Sequence, residues 1–130
     1  MSDSVLHPIH YCSLSSAADA IRDGQLSPVE LTEKLLSRID SVDGQLRSYA
    51  TVMTEQALEA GRKAEQEIQA GNYKGPLHGI PIAVKDLCFT AGTRTMGGLK
   101  VLRDFVPDYD ATVVHKLREA GAVILGKLNL

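Results

Sequence analysis

The run from Gly75 to Gly98, GPLHGIPIAVKDLCFTAGTRTMGG, restricts the fold of this chain more than any other stretch. Gly75-Pro76 and Gly79 are turn residues. They lead into an apolar run, Ile80 to Val84, that stops abruptly at Lys85-Asp86 and gives way to a Gly/Thr-rich loop. A short branched run bounded by turn signals predicts a buried strand over 80–85. Charged residues seldom end such a strand unless they are paired or used. In an open α/β sheet, the carboxyl ends of strands face the crevice where ligands bind. Lys85 is therefore the first candidate functional residue.

A second buried strand is predicted at Ala122–Leu125 (AVIL). Between the two, Asp110 is placed to cap a helix running through Ala120, with Val113, Val114 and Leu117 inward and Gly121 as its stop. Strand, helix and strand make one βαβ unit, expected parallel and right-handed. The fold class is thus α/β. Upstream, a short helix is expected from Ser15 or Ser16 to Asp23, stopped by Gly24. The next begins with Ser27 as N-cap, Pro28 at the first position and Glu30 completing a capping box, with Leu26 and Leu31 spaced as a hydrophobic staple. Its stripe is Leu31, Leu35, Ile39 and Val42, and Gly44 is its expected end. Tyr49–Met53 reads as a short strand, and Thr54 as the cap of a helix over Glu55–Ala70 with a thin apolar side. The organisation is a single domain, with a helical lead-in over 1–48 and a sheet-forming part over 49–130.

Three short strands cannot form a parallel sheet covered on both faces. The strand at 122–125, near the end of the chain, is expected to leave an open apolar edge. The 130 residues therefore read as the amino-terminal piece of a larger α/β domain. A net charge of −2 gives no electrostatic footprint for nucleic acid or an anionic membrane, so neither is expected as a partner. Apolar runs of about five residues fall far short of the roughly 20 that span a bilayer. Cys12 and Cys88 lie far apart, which argues against a disulfide framework and for a reducing compartment. MSDSVLHPIHYC has no basic stretch leading into an apolar one, so a cytoplasmic location is expected.

Two near-matches to a phosphate-binding loop fail on inspection. Gly92–Gly97 has the glycine spacing, but Gly98 and Leu99 replace the required Lys and hydroxyl residue. Gly121–Lys127 is followed by Leu128 instead of Ser or Thr, and its interior is the predicted strand. His7 and His10 read as solvated loop residues, because two histidines alone make a poor metal site. His78 reads as a structural turn histidine, and His115 as facing outward from its helix. Asp86, Asp104, Asp108 and Asp110 flank loops, where capping and turn roles prevail. Cys88 reads as packing. Lys85 has two readings of equal weight on spacing alone. It either snorkels to solvent from a strand end or acts as a base. A base must be neutral, so its pKa must fall from about 10.4 through burial. The strand and the small residues Ala91-Gly92-Thr93 are placed to supply that burial, and Thr90, Thr93 and Thr95 to orient the amine.

Gly79–Asp86, GIPIAVKD, resembles the core motif of the amidase signature family. The resemblance continues in order through Asp104–Pro107, Asp110–Val114 and Ala120–Lys127, and Ser27–Leu31 also fits. It covers essentially the whole chain but only the early part of the family's domain. It implies the N-terminal portion of a mixed sheet flanked by helices, including the βαβ unit. It also implies a Ser–cis-Ser–Lys triad acting on a small-molecule amide, with Lys85 at the position of the general base and no metal or organic cofactor. Both family serines lie beyond the segment that 126–130 resembles. Ser13, Ser15, Ser16, Ser27, Ser37, Ser41 and Ser48 match neither position, and Gly97-Gly98 stands where relatives often carry Gly-Ser. The implied partner is the missing C-terminal part of the domain or a complementing chain, without which the segment is expected to be inactive. The favoured reading is part of an amidase. The alternatives are an A-subunit segment of a glutamine-dependent aminoacyl-tRNA amidotransferase, and a non-catalytic module acting through its open sheet edge.

Overall fold

The computed structural model describes Pro8–Leu130. Its elements run in the order α1 (Leu14–Arg22), α2 (Pro28–Leu46), β1 (Tyr49–Val52), α3 (Thr54–Gln69), β2 (Pro81–Lys85), α4 (Thr112–Glu119) and β3 (Val123–Leu128). Short 3-10 turns lie at Ile9–Tyr11 and Lys100–Leu102.

The helix starts follow local chemistry. The Ser13 hydroxyl accepts the Ser16 N–H at 3.1 Å, and the Ser27 hydroxyl accepts the N–H groups of Val29 and Glu30, each at 3.1 Å. Leu26 and Leu31 are both buried in one apolar cluster with α1 and Ile80, as the staple spacing predicts. The helix ends follow local chemistry less closely. Gly44 does not stop α2, which runs on to Leu46 and ends at Arg47 in the left-handed region (φ 50°). A glycine inside a helix costs only about 1 kcal/mol. The real terminator is Asp43, whose carboxylate receives the N–H groups of Ser48 (2.7 Å) and Tyr49 (3.3 Å). Thr54 is the first residue of α3 and not its cap. Asp110 does not cap α4 either. It accepts the Ala91 N–H at 2.8 Å and pairs with Arg118 at 3.1 Å, tying the loop after β2 to that helix.

The sheet order is β1-β3-β2. The strands of the βαβ unit, β2 and β3, are parallel as expected, and β1 is antiparallel to β3, so the sheet is mixed. The expectation of an open edge on the last strand is corrected: β3 is central, and the outer strands are β1 and β2. It is also longer than the predicted 122–125. Gly126 explains both differences. A Cβ there would lie 2.3 Å from the Thr51 carbonyl oxygen and 2.9 Å from the Tyr49 ring, so only glycine lets β1 close against β3. Both faces of β3 are covered. Val123 and Leu125 pack with Ala57 and the stripe of α2, while Ile124 packs with Val84, Met53 and Val114 of α4. The thin apolar side of α3 has a reason too. At Gly61 a Cβ would sit 3.3 Å from Thr32 Oγ1, so small residues let the α2 and α3 backbones approach.

Gly126→Ala is expected to destabilise the fold by about 1–3 kcal/mol, the range for inserting a methyl into packed space. The check is a lowered unfolding midpoint, with Gly44→Ala unchanged or raised as the control.

Candidate active site

Lys85 closes β2, and its strand alternation places it on the face opposite Val84. It is exposed among the described residues, and its amine donates to the Asn129 carbonyl at 2.9 Å. That carbonyl is itself held. The Asn129 N–H donates to the Ser48 carbonyl (2.8 Å) and its side-chain amide to the Arg47 carbonyl (2.7 Å), both just past the end of α2. Lys85 thus stands at the carboxyl end of a parallel strand, where such sheets present their ligand sites.

A second lysine, which the sequence patterns do not single out, lies across the strand pair. Ile82 pairs with Ile124, but Ala83 pairs with Gly126, which leaves Leu125 as an extra residue in β3. Such a bulge resets which side chains face which way. Val84 then pairs with Lys127, so Lys127 shares the face of Val84 and Ile124. It is fully buried. Its amine donates to the Cys88 carbonyl and the Thr95 hydroxyl, both at 2.7 Å, and lies 3.6 Å from Asp86 Oδ1. Burial pulls its pKa below the ordinary lysine value, with the neighbouring Asp86 carboxylate opposing the shift.

Asp86 is as hidden as its partner. Its N–H donates to the Leu128 carbonyl (2.9 Å), its carbonyl accepts the Gly97 N–H (2.8 Å), and Oδ2 accepts the Met96 N–H (3.1 Å). Oδ1 has no hydrogen-bond partner among the described residues and faces only the Lys127 ammonium. Of the threonines expected to orient Lys85, Thr90 and Thr95 serve this cluster instead. Thr95 accepts from Lys127, and Thr90 donates to the Cys88 carbonyl at 3.0 Å. The reason is the face reversal: the loop folds over the α4 side of the sheet, away from Lys85. Cys88 packs there against the α4-side apolar cluster.

An ammonium has three N–H donors. Lys127 uses two of them on a carbonyl and a hydroxyl and lies against a carboxylate, and it is fully buried, so it is not open to a substrate. The accessible amine is Lys85.

His78 fills a structural position, as its turn context predicts. Its Nδ1 accepts the Lys74 N–H (3.1 Å), so Nε2 carries the proton and donates to Glu67 at 2.8 Å. Its ring occupies the space over Gly121, where a Cβ would come within 2.3 Å of it. For Glu67, partial burial pushes the carboxyl pKa up, but the hydrogen bonds from His78 and Lys74 outweigh it and hold the value below normal. His115 is exposed and 3.4 Å from Glu119. His7 lies outside the described residues, and the His10 ring lies tilted against Tyr11.

Residues 30–130 match the Amidase family model. The chain belongs to the amidase family. It is 56% identical over 117 residues to the amidase-named protein AmiD of Mycobacterium tuberculosis, covering 90% of this chain and 25% of that one. It is 46% identical over 127 residues to the A subunit of glutamyl-tRNA(Gln) amidotransferase from Geobacter metallireducens, covering 98% and 24%. The structure superposes on native peptide amidase from Stenotrophomonas maltophilia with a TM-score of 0.89 at 36% identity, covering 95% and 26%. The chain thus spans about a quarter of the length of these relatives. The α/β architecture with a small mixed sheet and flanking helices matches that of its structural neighbours. No helix among the described residues is long and apolar enough to cross a membrane.

Removing one member of a buried ion pair strands the other, at a cost of about 3–5 kcal/mol, whereas replacing both is often neutral. Lys127→Met is therefore expected to lower the unfolding free energy by about that amount. Asp86→Asn combined with Lys127→Met should recover most of it, as read by urea unfolding of the parent and the two variants. Glu67 has a depressed folded pKa. Its stabilising contribution is therefore complete above an unfolded value of about 4.3 and is lost as pH falls through the folded value. Unfolding midpoints between pH 6 and pH 3 should fall less steeply in Glu67→Gln than in the parent.

Proposed function

We propose that this chain forms the N-terminal quarter of an amidase that hydrolyses carboxylic amides by a Ser–cis-Ser–Lys mechanism, with Lys85 as the general base. The observation that carries the reading is the position of the Lys85 amine. It sits at the carboxyl end of β2, exposed among the described residues and aimed by a single backbone carbonyl. In this reading it withdraws a proton through the cis-serine from the nucleophilic serine, and backbone N–H groups beside that nucleophile hold the oxyanion. Both serines belong to the part of the domain beyond this segment, which by itself is inactive. Among the serines of the described residues, Ser13 and Ser27 cap helices, and Ser41 donates to the Arg38 carbonyl at 2.8 Å. In this reading the enzyme acts in the cytoplasm on a small-molecule amide.

A second reading is the A subunit of a glutamine-dependent amidotransferase, with the same chemistry releasing ammonia from glutamine. Its support is the 46% identity to such a protein over 98% of the chain. The larger identity to the mycobacterial protein favours the first.

The test is a chimera in which residues 1–130 replace the matching quarter of the mycobacterial relative. It should hydrolyse simple amides without partner subunits. Lys85→Ala should lower kcat by about 100- to 10,000-fold, the range for a general base. Undiminished turnover in Lys85→Ala would remove the base assignment. Activity only with glutamine and copurifying subunits would favour the amidotransferase.

A further inference from the structure

We propose that the buried Lys127–Asp86 pair is a positioning device that clasps the two ends of the 86–97 loop and thereby fixes the root of Lys85. This rests on the reading of Lys85 as the base. Four groups of Asp86 are engaged at once: its N–H by Leu128, its carbonyl by Gly97, one carboxylate oxygen by Met96, and the other by the Lys127 charge. The backbone immediately after Lys85 is therefore pinned both to the end of β3 and to the far side of the loop.

The ammonium does the reciprocal work. It grips the Cys88 carbonyl near the start of the loop and the Thr95 hydroxyl near its close, at 2.7 Å each. Two residues after Lys127, Asn129 holds the tip of Lys85 through its own carbonyl. One strand end thus fixes the base at both its backbone and its nitrogen. Stability alone does not call for a charge here, since a well-packed apolar pair commonly does as well. An apolar pair cannot reach a carbonyl, a hydroxyl and a carboxylate together, which is the grip that geometry requires. The unpartnered Asp86 Oδ1 agrees with this: the pair is arranged around the loop and not for its own best hydrogen bonding. Misplacing a catalytic group by about 1 Å costs on the order of 100-fold.

The test uses the same chimera, with Asp86→Asn/Lys127→Met as the main variant. The expected result is an unfolding midpoint near the parent's, kcat lowered at least tenfold and KM within about twofold. Thr95→Val, which keeps both charges and removes one loop contact, should lower kcat severalfold with KM unchanged. Parent-level kcat in both variants would overturn the proposal, because a purely structural pair predicts that outcome. A second readout does not depend on catalysis. Amide hydrogen exchange at Met96 and Gly97, whose N–H groups donate to Asp86, should speed up at least tenfold in the double variant. Unchanged exchange there would also overturn it. Failure of the base reading shows separately, as full turnover in Lys85→Ala, and leaves the exchange result to judge the clasp.

Discussion

Leu125 is one residue more than β3 needs to pair evenly with β2, and the rest of the site follows from that surplus. Without the bulge, Lys127 would share the face of Val123 and Leu125, against the apolar stripe of α2 and the small residues of α3. An ammonium would meet hydrocarbon there, and an unpaired buried charge is among the costliest things a core can hold. With the bulge it turns to the α4 side, where the loop after β2 brings Cys88, Thr95 and Asp86 around it. A backbone irregularity is what makes the buried charge tolerable.

Gly126 follows directly and performs the complementary task on the other side. Its missing side chain admits β1, whose Thr51 carbonyl and Tyr49 ring occupy the space a Cβ would need. The same contact makes β3 the central strand, buried against helices on both faces. Three adjacent residues therefore do three different jobs: Leu125 resets the faces, Gly126 admits a neighbour, and Lys127 organises a loop.

The readable parts of the sequence were those governed by contacts a few residues long. The start of α2 is written in Ser27, Pro28 and the Leu26–Leu31 spacing, and all of it appears in the structure. Strand β2, its parallel pairing with β3 and the location of Lys85 at its end follow from the apolar run and the turn residues around it. The family was legible as well, because GIPIAVKD and the motifs after it come in order. What stayed hidden depended on distant partners. Asp110 looks like a cap until Ala91 and Arg118 claim its carboxylate, and Gly44 looks like a stop until Asp43 takes over that duty. Lys127 was the largest omission. Its Gly-Lys context suggested only a failed phosphate loop, since alternation along β3 assigns it to the wrong face unless the bulge is known. One signal was available: a lysine two residues past an AVIL strand raises the same question that Lys85 raised.

The two lysines divide the requirements of an amine site between them. A buried ammonium that donates to a carbonyl and a hydroxyl and lies against a carboxylate keeps its geometry because it has little to exchange. That is what a positioning residue needs, and it bars Lys127 from acting on a substrate. Lys85 has the opposite arrangement, one carbonyl fixing its direction and the rest of its nitrogen unengaged by the described residues. In the proposed mechanism the base gives and receives protons on every cycle, so it needs one contact for aim and room for the others. Their placement on opposite faces of one strand pair keeps the buried charge close enough to organise the backbone beneath Lys85.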